Sequence, residues 1–236
     1  MDFSDMQAEL SEILAESNVK TFSLAARKRW LNEGVVDVCR LTLCLQKEVA
    51  KNVTAATRTY DIKTDWSLTD FLAFAKEGIQ HYNGSSTAPL WTPLERKSIE
   101  WLDENVAGWR DTSATNRSDT LSYYAKYGLK VYFQPVPISA VTGGWIIGYH
   151  YYPISGTTVG GLVNPTDKPF DDFPEFYPYH RLPVLFAGYR ALLKAGAPKG
   201  QQVLQEYSAG IQLMKQELRR EPDREPVISL FNYRAQ

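Results

Sequence analysis

The chain changes its hydrophobic periodicity twice, and this order of segments constrains the fold more than any single motif does. Apolar residues recur at helical spacing from residue 1 to about 52, and again from 179 to 221. Between them, residues from about 58 to 152 are rich in aromatic residues and alternate polar with apolar side chains, as strands do. One domain inserted into another explains this order more simply than three consecutive domains.

We therefore predict an α+β protein in which both ends of the chain form a helical bundle and an antiparallel β domain is inserted between them. The bundle domain is predicted to comprise residues 1–57 and 175–222, and the inserted β domain residues 58–160. A connector (161–174) leads back to the bundle, and an extended C-terminal arm (223–236) follows the last helix. The 236 residues are enough to bury a sizeable core.

An apolar stripe in the second helix is predicted to lie in the core of this bundle. From Leu31 onward, apolar residues follow at alternating steps of four and three, the spacing of one helix face. Gly34 lies inside this helix and lowers its stability by roughly 1 kcal/mol relative to Ala. The close approach of another helix at this position would offset that loss. Residues 182–193 and 203–218 have similar spacing and a short link, so we expect an antiparallel helical hairpin. The predicted core residues are Trp30, Leu31, Val35, Val38, Leu185 and Tyr189.

The middle segment carries the strand patterns. Residues 129–134 and 145–152 alternate most clearly, and an Asn-Gly pair at 83–84 predicts a turn. Residues 93–109 have helical spacing, whereas residues 71–75 fit either a strand or a helical turn. In the aromatic strand one face is predicted to hold Trp145, Ile147, Tyr149 and Tyr151.

Composition argues against several classes of protein. The net charge is −1, so no global basic field recruits nucleic acid. The first ten residues are acidic and amphipathic, which predicts no signal peptide, and no apolar run approaches the ~18 residues of a membrane span. Cys39 and Cys44 lie on different faces of a predicted helix, which favours buried thiols in a reducing compartment over a disulfide.

Sequence motifs for catalysis are absent. The chain has no phosphate-binding glycine loop and no CxxC, HExxH or GxSxG motif, so we predict no catalytic residue, metal or cofactor. His81, His150 and His180 lie far apart in sequence. Asp171 and Asp172 in the connector could hold a cation, but a solvated turn is the simpler interpretation.

The aromatic residues at 145–152 leave a second function open. They could stack on sugar rings, or on bases as in single-strand binders, but no Lys or Arg lies among them, which argues against nucleic acid. A β core or a surface between subunits is the default interpretation. The alternative function is therefore a carbohydrate-binding or glycan-hydrolysing protein that uses the aromatic β domain.

An apolar tail follows a proline-marked break after the last helix. We predict that it contacts a partner, because apolar side chains left in water stabilise nothing. It could instead fold back on its own subunit, and the two arginines before it could be an ordinary solvated face. The predicted interface residues are Val227, Ile228, Leu230, Phe231, Tyr233, Arg219 and Arg220.

Several short motifs occur in a definite order along the chain. The second helix contains WLNEG at residues 30–34, and TYDIK at 59–63 enters the β segment. LKVYFQPVP follows at 129–137 and YHYYP at 149–153. DFPEFYPY at 172–179 then leads into the next helix.

The order of these motifs, with the pattern of residues 207–215 in the last helix, resembles the head-to-tail adaptor (connector) family of tailed bacteriophages. The resemblance covers most of residues 1–221. It implies a ring, commonly of twelve copies, that lies beneath the portal at the virion neck and opens onto the tail. The implied partners are its own copies, the portal protein and a tail or nozzle protein.

The resemblance implies no catalytic residue and no cofactor. It implies an axial channel in which DNA is a non-specific cargo, synthesis in the host cytoplasm, and no membrane partner. The predicted function is thus that of a structural adaptor and not of an enzyme.

Overall fold

A computed structural model describes residues 1–15, 22–82, 91–111 and 117–220. These residues divide into two compact units. The helical unit contains Met1–Leu45 and the chain from Tyr151 to the end of the last helix, and the β unit contains Gln46–His150.

The described residues form five α-helices and ten strands. The helices are α1 (Phe3–Ala15), α2 (Leu24–Thr42), α3 (Ile99–Asn105), α4 (Leu182–Lys194) and α5 (Lys199–Arg220). The strands are β1 (Gln46–Val53), β2 (Thr59–Asp61), β3 (Phe71–Tyr82), β4 (Trp91–Pro93), β5 (Glu95–Lys97), β6 (Tyr123–Tyr127), β7 (Lys130–Gln134), β8 (Val141–Tyr151), β9 (Ile154–Ser155) and β10 (Thr158–Val159).

Helix α4 is the centre of the helical unit, where it contacts α1, α2 and α5. It is apolar on most sides, and its buried residues include Val184, Ala187 and Leu192. Helix α2 begins at Ser23, whose hydroxyl accepts a hydrogen bond from the Ala26 N–H at 3.2 Å. The unit therefore buries its apolar stripes around one central helix.

The close helix approach expected at Gly34 is confirmed. A Cβ atom placed there would lie 2.8 Å from the main-chain oxygen of Pro183 in α4. Trp30, Leu31, Val35 and Val38 are all buried in α2, as is Leu185 in α4, whereas Tyr189 is only half-buried.

The β unit contains two four-stranded sheets. One has the order β1-β8-β3-β4 and the other β2-β7-β6-β5. Strand β8 pairs with β1 so that Gln46 lies opposite His150, and Lys51 lies opposite Trp145. The alternation predicted for the aromatic strand is confirmed, because Trp145, Ile147, Tyr149 and Tyr151 are buried.

Stacked aromatic rings fill the β core. The rings of Phe133 and Trp145 stack with centroids 4.1 Å apart, and Tyr60 meets both rings edge-on. Trp66 stacks on Tyr60 at 5.6 Å, and its side chain is almost fully buried. Large rings that pack in this way contribute more than their buried area alone.

The predicted fold class, a helical bundle with an inserted antiparallel β domain, is wrong as stated. The chain is broadly α+β, but both units mix helices with strands. The β unit contains α3 and a parallel pair, β5 with β6, which a crossover through α3 makes possible. The helical unit contains the β9–β10 ribbon and two 3₁₀ turns.

Two predicted helical segments also differ in the structure. Residues 46–52 were expected to continue the second helix, but α2 ends where Leu43 adopts a left-handed conformation, and β1 follows. The helix predicted for residues 93–109 is confined to Ile99–Asn105, and residues 71–75, which fitted either structure, belong to β3. The turn predicted at 83–84 lies outside the described residues.

Candidate interaction surfaces

Asn32 in α2 holds the connector against the helix. Its Nδ2 donates to the carbonyl oxygens of Lys28 at 3.1 Å and Leu162 at 3.0 Å, and its Oδ1 accepts from the Leu162 N–H at 2.9 Å. The side chain is buried, so these bonds satisfy polar groups that water does not reach. We call this set of contacts the Asn32 clasp.

Gly160, which directly precedes the connector, allows the chain to approach α2 this closely. Its φ angle is +102°, and a Cβ atom there would lie 2.5 Å from the main-chain oxygen of Asn32. A side chain would therefore meet helix backbone that cannot move aside, and glycine is the residue that tolerates this conformation.

The motif WLNEG at 30–34 thus combines several contacts in one turn of α2. Trp30 packs edge-on against Phe22 with ring centroids 5.2 Å apart, and Leu31 is fully buried. Asn32 binds the connector, and Gly34 admits α4. The motif fixes the geometry of the helical unit, and its residues Asn32 and Glu33 also line a surface cleft of that unit.

This cleft, which we call the α2 cleft, has a volume of about 760 Å³ and lies within the helical unit between α2, α4 and the connector. Val159 of β10 and Val163 of the connector are 46% and 43% exposed in its wall. Val36 and Phe186 are half-buried in the same wall. The α2 cleft therefore presents apolar surface to solvent on two of its sides.

Glu33 lies at the centre of one charged group in the cleft. Its carboxylate pairs with the Arg190 Nη1 at 2.8 Å and with the Arg29 Nε at 3.4 Å. The three side chains are substantially exposed, so the pairs add little to stability. They do hold two guanidinium groups at the surface of the cleft.

Asp37 organises a second charged group. It accepts a hydrogen bond from Arg40 at 2.7 Å and another from the Tyr207 hydroxyl of α5 at 2.7 Å. Burial and the hydrogen bond with Asp37 raise the pKa of Tyr207 above its ordinary value, so the hydroxyl remains a donor. Four basic side chains line the cleft, namely Lys28, Arg29, Arg40 and Arg190. Its two carboxylates are those of Glu33 and Asp37, so the net charge of the cleft is +2.

The connector ends in a turn with strained backbone. Phe170, Asp171 and Asp172 have φ angles of +58°, +53° and +60°, although none of them is glycine. Such conformations cost on the order of 1–3 kcal/mol each. Phe170 is fully buried, and the Tyr151 hydroxyl donates to Asp171 at 2.6 Å. Packing and hydrogen bonds therefore determine this turn, although Asp171 and Asp172 themselves are exposed to solvent, as expected for a solvated turn.

Asp172 is also engaged, since it accepts hydrogen bonds from Lys168 and Tyr177, both at 2.9 Å. Among the described residues, no group of three or more His, Cys, Asp or Glu side chains is placed to hold a metal ion. Asp171 and Asp172 thus both use carboxylate oxygens in hydrogen bonds with nearby side chains.

In the β unit the aromatic strand is an interior feature. Trp145 is fully buried, and the His81 ring lies 5.0 Å from it. Burial lowers the pKa of His81 below its ordinary value, which favours the neutral ring. Because Trp145 has no exposed face, it offers nothing for a sugar ring to stack on.

The most exposed aromatic residue described in this unit lies elsewhere. Tyr127 and Leu129 flank Gly128 in the turn between β6 and β7, and they are 71% and 44% exposed. Periodicity did not single out Tyr127, and it placed Leu129 in the strand predicted for residues 129–134, whereas β7 begins at Lys130.

Most of the predicted interface residues lie outside the part of the chain that the structure describes. Val227, Ile228, Leu230, Phe231 and Tyr233 lie outside the described residues. Of the two arginines, Arg219 is exposed near the end of α5, and Arg220 is its last residue, with a side chain outside the described part.

Sequence reasoning missed the α2 cleft and the Asn32 clasp. The available signal was a polar residue, Asn32, directly beside the buried stripe of α2, next to Gly34. Such a residue is either exposed or bound to a specific partner, and the partner is 130 residues away in sequence. No helix of the described ranges is long and apolar enough to span a membrane.

Comparison with known proteins adds one match over nearly the whole chain. A protein-family model described as "SU10 adaptor protein" matches residues 1–228. No curated protein matches the sequence. The family match extends across both units and across the clasp and cleft residues.

Proposed function

The chain belongs to the SU10 adaptor protein family, a family of phage adaptors, and from this membership we propose that it is a head-to-tail adaptor that forms a ring between portal and tail. The observation that carries the proposal is the family match over residues 1–228. The resemblance of the sequence motifs to head-to-tail adaptors supports the same function.

We propose a ring of twelve copies in the virion neck, with an axial channel through which DNA passes as a non-specific cargo. A ring requires a heterologous contact, in which one surface of a subunit meets a different surface of the next. The α2 cleft supports such a contact, because it presents apolar and charged groups at one place on the subunit. The role proposed is structural and not catalytic, and its partners are the portal and a tail or nozzle protein.

We further propose that the apolar tail attaches the subunit to the portal or to a neighbouring copy. Its five large apolar residues follow two proline breaks, at Pro222 and Pro226. Each apolar side chain that becomes buried could contribute about 1.5–3 kcal/mol before ordering costs. Arg219 and Arg220 immediately before the tail would flank the same contact.

The mass of the purified protein, with and without a portal ring, tests this function. The subunit has a mass of 26.8 kDa, so twelve copies would weigh about 322 kDa. We expect light scattering or native mass spectrometry to find the oligomer at high concentration or on the portal. A protein that remains at the subunit mass in both conditions would contradict the adaptor function.

A further inference from the structure

We infer that the α2 cleft binds residues 221–236 of a neighbouring copy of this chain. The inference rests on the proposed ring and names the receiving surface of its subunit contact. The bound segment belongs to a neighbouring copy. A cleft that is filled by the segment of its own copy would contradict the inference.

The apolar walls of the cleft are the first reason. Val159 and Val163 expose nearly half of their surface on the connector side, and Val36 and Phe186 are half-buried on the helix side. The Asn32 clasp fixes the distance between these sides, so the cleft is preformed and loses little freedom when a segment enters. A preformed apolar cleft favours an apolar segment over a solvated one.

The second reason is the composition of the segment. Residues 227–233 are VISLFNY, with five large apolar side chains. Pro222 and Pro226 lack backbone N–H groups, so the sequence disfavours a helix over residues 221–226. An extended segment can place its side chains in a cleft while its main chain bonds to the rim.

Charge complementarity is the third reason. Residues 221–236 contain three carboxylate side chains, Glu221, Asp223 and Glu225, against the guanidinium groups of Arg224 and Arg234, a net side-chain charge of −1. The cleft carries a net charge of +2, with Arg190 and Arg40 at its surface. Opposite charges on facing surfaces align two partners and speed their association.

The reach of the segment is sufficient for a contact between subunits. Sixteen residues follow Arg220, and an extended chain of that length spans about 50 Å. A segment that leaves one copy and enters the cleft of the next is a heterologous contact, which repeats around a ring.

A labelled synthetic peptide of residues 221–236, titrated into the full chain, tests the inference by fluorescence anisotropy. We expect saturable binding, and at least a tenfold rise in Kd for Val163→Asp and for Arg190→Glu. The matched controls are Leu213→Asp, an exposed apolar residue of α5, and Arg110→Glu, whose guanidinium pairs with Asp103 at 2.8 Å in the β unit. Circular dichroism should show that all four variants keep their helices.

A peptide in which Glu221, Asp223 and Glu225 are changed to Gln should bind several-fold more weakly and with less dependence on salt. The absence of saturable binding would overturn the inference, whether the cleft rejects the peptide or is already filled by the same copy's segment. Binding that is as strong in Val163→Asp and Arg190→Glu as in the controls would also overturn it.

The failure of this inference is separate from failure of the proposed function. A chain that assembles on the portal but binds no peptide keeps the adaptor function and loses the cleft contact. A chain that binds the peptide through the cleft and self-associates, but forms no closed ring and no complex with the portal, keeps the contact between copies and loses the proposed function.

Discussion

The side-chain amide of Asn32 forms two reciprocal hydrogen bonds with the main chain of Leu162, 130 residues later. The Nδ2 group donates to the Leu162 carbonyl oxygen at 3.0 Å, and the Oδ1 atom accepts from its N–H at 2.9 Å. One side chain of α2 thereby satisfies both polar groups of a buried connector residue.

Asn32→Ala should therefore destabilise the protein by about 1–3 kcal/mol, because it leaves the N–H and C=O of Leu162 buried without these partners. Urea unfolding measures the change. Asn105→Ala is the matched control, since that side chain donates to a main-chain oxygen at 2.9 Å but is exposed. Equal effects of the two substitutions would contradict a structural role for the clasp.

Gly34→Ala should also be destabilising, although alanine is the better helix former by about 1 kcal/mol. Its Cβ would lie 2.8 Å from the Pro183 oxygen, and overpacking of this kind typically costs about 1–3 kcal/mol. Thermal unfolding provides the measurement, with Ser208→Ala on the exposed face of α5 as control. A higher melting temperature for Gly34→Ala would mean that α2 and α4 can move apart without cost.

Leu31→Ala should destabilise the protein by roughly 2–5 kcal/mol, as large-to-small changes in a core do. Leu31 is fully buried, whereas Leu213, the matched control, is 57% exposed. Guanidinium unfolding of both variants tests the difference. A loss below about half a kcal/mol for Leu31→Ala, the size usual at surface sites, would place the residue outside the core.

Alkaline conditions should weaken the fold through Tyr207. Burial and the hydrogen bond with Asp37 raise the folded-state pKa of Tyr207 above that of the unfolded chain, which is about 10. The stabilisation is thus fully present below pH ~10 and is lost as the pH rises through the folded-state pKa. Unfolding measured from pH 8 upward should show this loss, and Tyr207→Phe should lessen it. An unchanged alkaline slope in Tyr207→Phe would assign the loss to other groups.

Deletion of residues 225–236 should leave the melting temperature of the isolated subunit nearly unchanged and abolish assembly. The deleted residues would act between molecules and not within one. Differential scanning calorimetry and light scattering together test this. A truncated subunit that melts earlier but still binds the portal would place the tail in the core of its own subunit.

Local sequence patterns predicted those helices and strands in which the buried residues lie on one face. The stripe of α2 and the alternation of β8 are of this kind, because each buries one side on a continuous surface. The resemblance to phage adaptors depended on the order of motifs, and one of these, WLNEG, contains the clasp residue Asn32.

The parts that could not be predicted depend on distant partners. Leu45 and Val49 are four residues apart, which suits a helix, but residues 46–53 become a strand because they pair with β8 about a hundred residues later. The left-handed conformation of Phe170 has no local signal either, since a bulky aromatic residue is a rare outlier in that region. The tertiary contacts of the connector determine both the strained turn and the α2 cleft.

The pairing of Gln46 with His150 has a consequence for the order of folding. These residues are opposite one another in β1 and β8, about 5 Å apart in an antiparallel ladder, so residues 46–150 begin and end at a single rung. Once that rung forms, the contact between α2 and α4 no longer closes a flexible loop of more than a hundred residues. The entropic cost of forming that contact is therefore smaller. In refolding experiments, α2 should therefore dock on α4 only after β1 has paired with β8.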